Sequence, residues 1–166
     1  MRTVTINQQV PDFIVPATNN KNVRLSALKG YNVILYFYPK DATPGCTIES
    51  QDFAANYNSF RATNTLVFGV SRDSLESHEQ FKAAQILPFE LISDENQALS
   101  ALFGVIKPRT LKDQTFMGMI RSTFLIDSDG ILRKEWRDIS VKEHVHEVLA
   151  YCQRLSEPGL KRTNIS

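Results

Sequence analysis

Cys46 is the residue whose chemistry is easiest to predict from its neighbours. It closes the segment PKDATPGC, residues 39–46, which follows the apolar run VILYFY directly. Thr43 followed by Pro44 is typical of a helix start, because a threonine hydroxyl can accept a hydrogen bond from an unpaired amide. Proline fits the next position because it has no amide that needs a partner. Cys46 then falls in the first helical turn, where unpaired N–H groups and the helix dipole favour a thiolate.

A helix start alone does not ionise a cysteine at neutral pH. An ordinary thiol with a pKa near ~8.5 is only about 3% ionised at pH 7, and lowering that pKa to ~6 requires roughly 3.4 kcal/mol. A helix terminus supplies ~0.3–2 kcal/mol. The remainder requires a guanidinium beside the sulfur, because arginine stays charged and directs several donors at one place. Arg72, Arg109 and Arg121 all lie near predicted strand ends or loops, and spacing does not choose among them.

The two cysteines of the chain have different settings. The competing interpretation of Cys46 is a small apolar residue at a helix start, without a chemical role. Cys152 falls in the apolar stripe of the last predicted helix, which favours a core position over a redox role.

The histidines His78, His144 and His146 show no metal-ligand pattern. His144 and His146 are two positions apart and cannot share a helix face, so we expect both at the surface.

The segments around Cys46 predict a strand, a helix and a second strand. Residues 33–38 and 66–71 are continuous apolar runs, typical of strands that are buried on both faces. Between them, residues 48–61 carry aromatic side chains at i, i+4 and i+7, the spacing of a helix with one buried stripe. A parallel pair of strands joined by a helix makes a right-handed crossover.

The second half of the chain continues the alternation. Helices are predicted over 74–84 and 95–103, with a short strand near 89–92 between them. Residues 123–127 and 131–136 flank the turn DSDG, which predicts an antiparallel hairpin that closes one side of the sheet. The fold class is therefore α/β, a mixed central sheet with helices on both faces.

Three further segments complete the predicted fold. Residues 12–28 are typical of two short strands joined by a polar turn, an N-terminal β-hairpin. A final helix is predicted from Ser140, where SVKE has the capping-box pattern with Glu143 reaching back, and Pro158 would end it. Residues 104–121 have no clear periodicity and are long for a connection, which favours a functional loop.

Length and composition narrow the class of protein. A chain of 166 residues fits one domain, residues 1–166. Nineteen basic and eighteen acidic residues give a formal charge of +1, which favours neither nucleic acid nor an anionic membrane as a partner. No apolar stretch is long enough for a signal peptide or a membrane span, so we expect a cytoplasmic protein whose thiols are kept reduced.

The segment PKDATPGC matches the peroxiredoxin active-site pattern of proline, three residues, threonine or serine, two residues and cysteine. With RLSALKGYNVILYFY, ISDENQAL and TFMGMIRSTFLIDSDG elsewhere, nearly the whole chain resembles the bacterioferritin comigratory protein, or peroxiredoxin Q, subfamily. The resemblance implies a thioredoxin-like fold. It also implies thiol-dependent reduction of hydrogen peroxide or alkyl hydroperoxides, with no metal and no bound cofactor.

The resemblance also implies roles for particular residues. Cys46 would be the peroxidatic nucleophile, converted to a sulfenic acid, and Thr43 would hydrogen-bond the peroxide and the thiolate. Arg121, which opens RSTFLID, occupies the family's arginine position. The residues that would form the wall of the substrate pocket are Pro39, Pro44 and Gly45.

The chain departs from the subfamily pattern at the resolving cysteine. Many members carry this cysteine five residues after the nucleophile, where this chain has Gln51, and the predicted helix 74–84 has no cysteine either. Either Cys152 resolves Cys46 after a large rearrangement, or an external thiol does, from glutathione, a thioredoxin-type protein or a second chain. We favour the external thiol, because apolar burial would hold Cys152 in place. We expect a monomer or weak dimer.

Two other functions compete with the peroxidase. A thioredoxin-like dithiol oxidoreductase normally needs Cys-x-x-Cys, and residues 46–49 are CTIE. A redox sensor or chaperone-like binding protein, switched by oxidation of Cys46, remains an alternative function. It would show slow, stoichiometric oxidation without turnover, whereas a peroxidase consumes peroxide repeatedly once a thiol is supplied.

Overall fold

The computed structural model describes residues 4–156, which form nine β-strands and five α-helices. The strands are β1 Ile14–Ala17, β2 Lys21–Arg24, β3 Asn32–Phe37, β4 Thr65–Ser71, β5 Leu91–Ser93, β6 Ile106–Leu111, β7 Gln114–Met119, β8 Ser122–Ile126 and β9 Leu132–Trp136. The helices are α1 Pro44–Ala55, α2 Tyr57–Ala62, α3 Leu75–Gln85, α4 Ala98–Leu102 and α5 His144–Leu155. None of these helices is long and apolar enough to cross a membrane.

Seven of the strands form one mixed sheet in the order β2-β1-β5-β4-β3-β8-β9. The central strand β3 pairs in parallel with β4 and antiparallel with β8, and β4 pairs in parallel with β5. The N-terminal hairpin β1–β2 joins the sheet through the pair Ala17 and Ile92, and β8–β9 closes the other edge. The predicted mixed sheet, both hairpins and the parallel crossover are confirmed.

Strand β3 is buried on both faces because every one of its six residues is buried. Its side chains alternate between two apolar clusters, as the two-residue period of a strand requires. Leu35 and Phe37 join a cluster with α4 and the N-terminal segments, whereas Ile34 and Tyr36 join a cluster with α1, α2, α3 and α5. The predicted helices on both faces of the sheet are therefore present.

The helix predicted over 48–61 is two helices that meet at Asn56. The side-chain amide of Asn56 donates to the carbonyl of Asp52 at 2.8 Å and so competes with the helical backbone. The predicted buried stripe is nevertheless present, since Phe53 and Phe60 are fully buried. The first helix begins at Pro44, four residues earlier than the aromatic spacing alone indicated, which brings Cys46 into it.

The predicted start of the last helix at Ser140 is wrong. Helix α5 begins at His144, and Glu143 has a left-handed backbone with φ of 63° and makes no side-chain cap hydrogen bond. The backbone beside the predicted start makes a hydrogen bond outside the helix, since the amide of Ile139 donates to the carbonyl of Arg121 at 3.1 Å. Pro158 lies outside the described residues.

Residues 104–121, predicted as a functional loop, form the hairpin β6–β7. Its two strands pair antiparallel around Lys112 and Asp113, which both have positive φ, as a two-residue hairpin turn requires. Most of its side chains are exposed on both faces, so no alternation of apolar and polar residues marks the strands.

The helix predicted over 95–103 is shorter in the structure than in the prediction. Gln97 has a left-handed backbone, and α4 begins after it.

Candidate active site

Cys46 lies in the first turn of α1, as its sequence context predicts. Thr43 precedes the helix with extended backbone angles and Pro44 is the first helical residue. The side chain of Cys46 is buried, with 1% of its surface exposed, and its thiol is free. Its sulfur is therefore near the unpaired amides of the helix start and away from bulk water, where the partial positive charge of the helix end acts most strongly.

Arg121 is the arginine that reaches Cys46, among the three that the sequence left open. It lies just before β8, and the pairing of Ser122 with Phe37 places the start of β8 beside the end of β3. The loop that leads to α1 begins at this same end of β3. The Nη2 of Arg121 donates to Cys46 Sγ at 3.3 Å, so a guanidinium adjoins the sulfur.

Glu49 holds the other side of the Arg121 guanidinium, a role that the sequence pattern around Cys46 did not predict. Its Oε1 accepts from Arg121 Nη1 at 2.7 Å, and its side chain is fully buried. Burial raises the pKa of Glu49 from 4.5 to about 7, although Arg121 opposes this shift. Burial in turn opposes the charge of Arg121, but the carboxylate of Glu49 and the sulfur of Cys46 outweigh it and raise the pKa of Arg121. The sequence signal for this role was the i, i+3 spacing from Cys46 to Glu49, which places both side chains on the same face of a helix.

The hydroxyl of Thr43 was predicted to cap α1, but it makes no cap hydrogen bond. It donates to the carbonyl of Lys40 at 2.7 Å, while the backbone carbonyl of Thr43 accepts from the amide of Thr47 at 2.9 Å. The reason is the tight turn from Lys40 to Thr43, which brings a carbonyl acceptor within reach of the hydroxyl. Because its hydrogen is used by Lys40, the hydroxyl can offer its oxygen lone pairs to a hydrogen-bond donor.

Three residues predicted for the pocket wall lie in the loop before α1 and in its first turn. Pro39 and Pro44 are exposed, and Gly45 is half-buried. A Cβ added at Gly45 would lie 3.3 Å from Nη2 of Arg121. Glycine at this position therefore allows the guanidinium to approach the helix start closely.

Cys152 occupies the core position that its apolar stripe predicts. It is fully buried in α5, and this burial raises the pKa of its thiol to about 12, with a side-chain hydrogen bond to Thr65 as the smaller, opposing influence. At neutral pH this thiol is protonated and a poor nucleophile. Gln51, at the position of the local resolving cysteine, donates to Gln85 of α3 at 2.6 Å.

The histidines differ from the sequence prediction in one case. His146 is exposed as expected, but His144 is buried, with Nε2 2.8 Å from the hydroxyl of Thr123. Burial lowers the pKa of His144 to about 4. The reason is that α5 starts at His144 and turns this residue toward the sheet, whereas the prediction assumed one longer helix.

One group in residues 4–156 has the composition of a metal site, Asp41, Asp73 and His78. Both nitrogens of His78 already lie within hydrogen-bonding distance of protein oxygens, Asp41 Oδ2 at 2.7 Å and the carbonyl of Ile92 at 2.9 Å. These contacts use the atoms that a metal ion would need, so the group is better described as a hydrogen-bonded cluster.

The sequence pattern of the AhpC/TSA family matches residues 6–135 of the chain, a range that contains both Cys46 and Arg121. The chain belongs to the AhpC/TSA family. Peroxiredoxin Bcp of Bacillus subtilis is 44% identical over 155 residues, which cover 93% of this chain and 99% of that protein. Peroxiredoxin Bcp of Xanthomonas campestris is 40% identical over 139 residues, 84% of this chain and 87% of that protein. Within the AhpC/TSA family, the chain is a peroxiredoxin of the Bcp, or peroxiredoxin Q, type.

Solved structures of AhpC/TSA peroxiredoxins share the fold of this chain. Peroxiredoxin Q of Xanthomonas campestris superposes with a TM-score of 0.84 at 37% identity, covering 87% of this chain and 92% of that one. PrxQ of Xylella fastidiosa superposes with a TM-score of 0.89 at 34% identity, covering 95% of this chain and 100% of that one. The expected thioredoxin-like peroxiredoxin fold is confirmed, and this AhpC/TSA chain is a peroxidase of the peroxiredoxin class.

Proposed function

We propose that this peroxiredoxin reduces hydrogen peroxide and organic hydroperoxides with Cys46 as the attacking thiolate. The observation that carries the proposal is the hydrogen bond from Arg121 Nη2 to Cys46 Sγ, made at the first turn of α1. A buried sulfur that receives a guanidinium hydrogen bond and faces the positive end of a helix is stabilised as an anion. The thiolate, not the thiol, is the nucleophile that peroxide chemistry requires.

The proposed reaction transfers two electrons from Cys46 to the peroxide. The thiolate attacks one peroxide oxygen and forms an S–O bond while the O–O bond breaks. The electron pair of the broken bond goes to the leaving oxygen, which takes a proton and departs as water or an alcohol, and Cys46 becomes a sulfenic acid. Arg121 and the amides at the start of α1 stabilise the charge that grows on the leaving oxygen.

Thr43 would orient the peroxide in this reaction. Since its hydroxyl hydrogen is donated to the carbonyl of Lys40, the oxygen of Thr43 is an acceptor for the peroxide O–H group. Pro39 and Pro44 would form the outer wall of the pocket, because both are exposed and flank this hydroxyl along the chain. The Xanthomonas campestris bacterioferritin comigratory protein, whose solved structure is 36% identical in sequence to this chain, has alkyl peroxide reduction activity, which supports organic hydroperoxides as substrates.

Recycling of the proposed Cys46 sulfenic acid would use an external thiol. Gln51 occupies the local resolving position, and Cys152 is a buried, protonated thiol in α5. A small or protein thiol would attack the sulfenic sulfur and release water, which leaves a mixed disulfide, and a second thiol would reduce that disulfide. Glutathione and thioredoxin-type proteins supply this chemistry in a reducing compartment such as the cytoplasm.

Peroxide consumption with glutathione-linked and thioredoxin-linked donors tests the proposal. Wild-type protein and the Cys152→Ser variant are expected to turn over with at least one donor, and Cys46→Ser is expected to be inactive. Intact masses of the oxidised proteins should show one added oxygen, or one added donor thiol, on Cys46. Stoichiometric oxidation without turnover would instead support the redox sensor or chaperone-like binding protein, and turnover by Cys46→Ser would contradict both.

A further inference from the structure

A second group of buried polar side chains lies behind the loop between β3 and α1. Asp41 is 6% exposed, whereas its neighbours Lys40 and Ala42 are both exposed. The carboxylate of Asp41 accepts a hydrogen bond from the hydroxyl of Tyr38 at 2.6 Å and another from the hydroxyl of Ser77 at 2.9 Å. The carboxylate thus anchors an otherwise exposed loop to the protein interior.

His78 of α3 is the third partner of this carboxylate and is itself fully buried. Its Nε2 lies 2.9 Å from the carbonyl of Ile92, and because a carbonyl only accepts, Nε2 must carry a hydrogen. Its Nδ1 lies 2.7 Å from Asp41 Oδ2, so a second hydrogen must lie between these two atoms. A hydrogen bond to a carboxylate is stronger than one between two neutral groups, and burial of both side chains strengthens it further.

Further contacts connect Asp41 to the site around Cys46. The backbone amide of Asp41 donates to the carboxylate of Asp73 at 2.9 Å. Ala42 then has a left-handed backbone with φ of 63°, an unfavourable conformation for alanine that persists only when its surroundings fix it. The turn ends where the hydroxyl of Thr43 donates to the carbonyl of Lys40. Fixing Asp41 therefore fixes the direction of the Thr43 hydroxyl.

We infer that His78 is a positioning residue for peroxide reduction: through its hydrogen bond to Asp41, it holds the loop between β3 and α1 so that Thr43 is aligned with Cys46. This role rests on the proposed function. It places a determinant of the reaction in α3, beyond the residues that would touch the peroxide. Asp41 and His78 are 37 positions apart in the chain, and only tertiary packing brings them together.

Two amide substitutions separate the two contacts of His78. The side-chain nitrogen of His78→Asn can take the place of Nδ1 and keep the hydrogen bond to Asp41, but it does not reach the carbonyl of Ile92. The side-chain nitrogen of His78→Gln can take the place of Nε2 and keep the contact with Ile92, but it loses Asp41. The exposed His146 provides a matched control as His146→Asn.

The experiment compares two reactions of Cys46 in the full-length reduced protein. Single-turnover oxidation by hydrogen peroxide, stopped with a maleimide and followed by intact mass, depends on thiolate and peroxide alignment. Alkylation by iodoacetamide needs an accessible thiolate but no alignment of a peroxide. We expect His78→Gln to slow oxidation by about tenfold to a hundredfold, because small misplacements of aligning groups have effects of this size. Its alkylation rate and both rates of His78→Asn should stay within about threefold of wild type.

Three results would overturn the inference. Wild-type oxidation rates in His78→Gln would show that the contact with Asp41 does not matter. Equal losses of oxidation and alkylation would show a general disturbance of the site. Equal losses in His78→Asn and His78→Gln would assign the effect to packing of the imidazole ring and not to its hydrogen bond with Asp41. If His78→Gln does not fold, Asp41→Asn takes its place with the same expected pattern. A wild-type protein that peroxide does not oxidise would contradict the proposed function instead.

Discussion

Arg121 Nη2 lies 3.3 Å from Cys46 Sγ, although 75 positions separate the two residues in the chain. The register of β3 with β8 creates this contact, because it sets the residue before β8 beside the loop that leads into α1. The same guanidinium is held from its other side by Glu49, which α1 presents one turn after Cys46. The cation is therefore fixed by a sheet register and by a buried carboxylate, and each can be tested separately.

Replacement of Glu49 by glutamine should change how stability depends on pH. The pKa of Glu49 rises from 4.5 to about 7 on folding, so between these values the folded protein holds a proton that the unfolded chain releases. Stability contributed by this group is therefore lost as pH rises through the window. We expect the fall in unfolding free energy from about pH 5 to about pH 8 to be smaller in Glu49→Gln by about 3 kcal/mol.

Denaturant unfolding at the two pH values measures this difference directly. Other groups, including the buried His144, titrate in both proteins and cancel in the comparison. An equal pH dependence in Glu49→Gln and wild type would show that Glu49 does not bind this proton.

Substitution of Gly45 by alanine should separate helix stability from reactivity. The new Cβ would lie 3.3 Å from Arg121 Nη2 and would displace the guanidinium by a few tenths of an ångström. Alanine favours a helix over glycine by up to about 1 kcal/mol, so α1 should not be weakened. We expect oxidation of Cys46 by hydrogen peroxide to slow by about tenfold while thermal stability is kept. Stopped-flow oxidation and thermal unfolding check the two parts, and an unchanged oxidation rate would argue against close positioning of Arg121.

Removal of the Cys152 thiol should leave peroxidase turnover intact. This thiol is fully buried and its pKa is raised to about 12, so in the folded protein it is protonated at neutral pH. Cys152→Ala, which adds no buried hydroxyl, should retain the wild-type rate of thiol-supported peroxide consumption, although the small cavity lowers stability by roughly 1 kcal/mol. Loss of turnover in a folded Cys152→Ala protein would assign resolution to Cys152.

The sequence predicted those parts of the fold that depend on local patterns. Continuous apolar runs marked the buried strands β3 and β4, and the Thr43–Pro44 pair marked the start of α1. These patterns succeed because burial on both faces and the missing amide of proline act within a few residues. The hairpin β6–β7 was missed for the converse reason, since strands exposed on both faces leave no apolar pattern.

Long-range contacts in the site could not be predicted from the spacing of residues in the sequence. The choice of Arg121 over Arg72 and Arg109 depends on strand register, which no local pattern encodes. The capping box at Ser140 was a false signal, because the backbone of this region bonds to Arg121 and α5 starts later. The contact of His78 with Asp41 likewise joins elements that only tertiary packing brings together.

Replacement of Arg121 by glutamine is the most direct test of the account, with Arg109→Gln as a control on the exposed hairpin. The ultraviolet absorbance of the thiolate at pH 7, taken as the difference from Cys46→Ser, should be present in wild type and Arg109→Gln and greatly reduced in Arg121→Gln. Oxidation by hydrogen peroxide should slow by about a hundredfold or more in Arg121→Gln alone. A wild-type protein without thiolate absorbance at this pH, or an Arg121→Gln protein with wild-type absorbance and oxidation rate, would contradict the account.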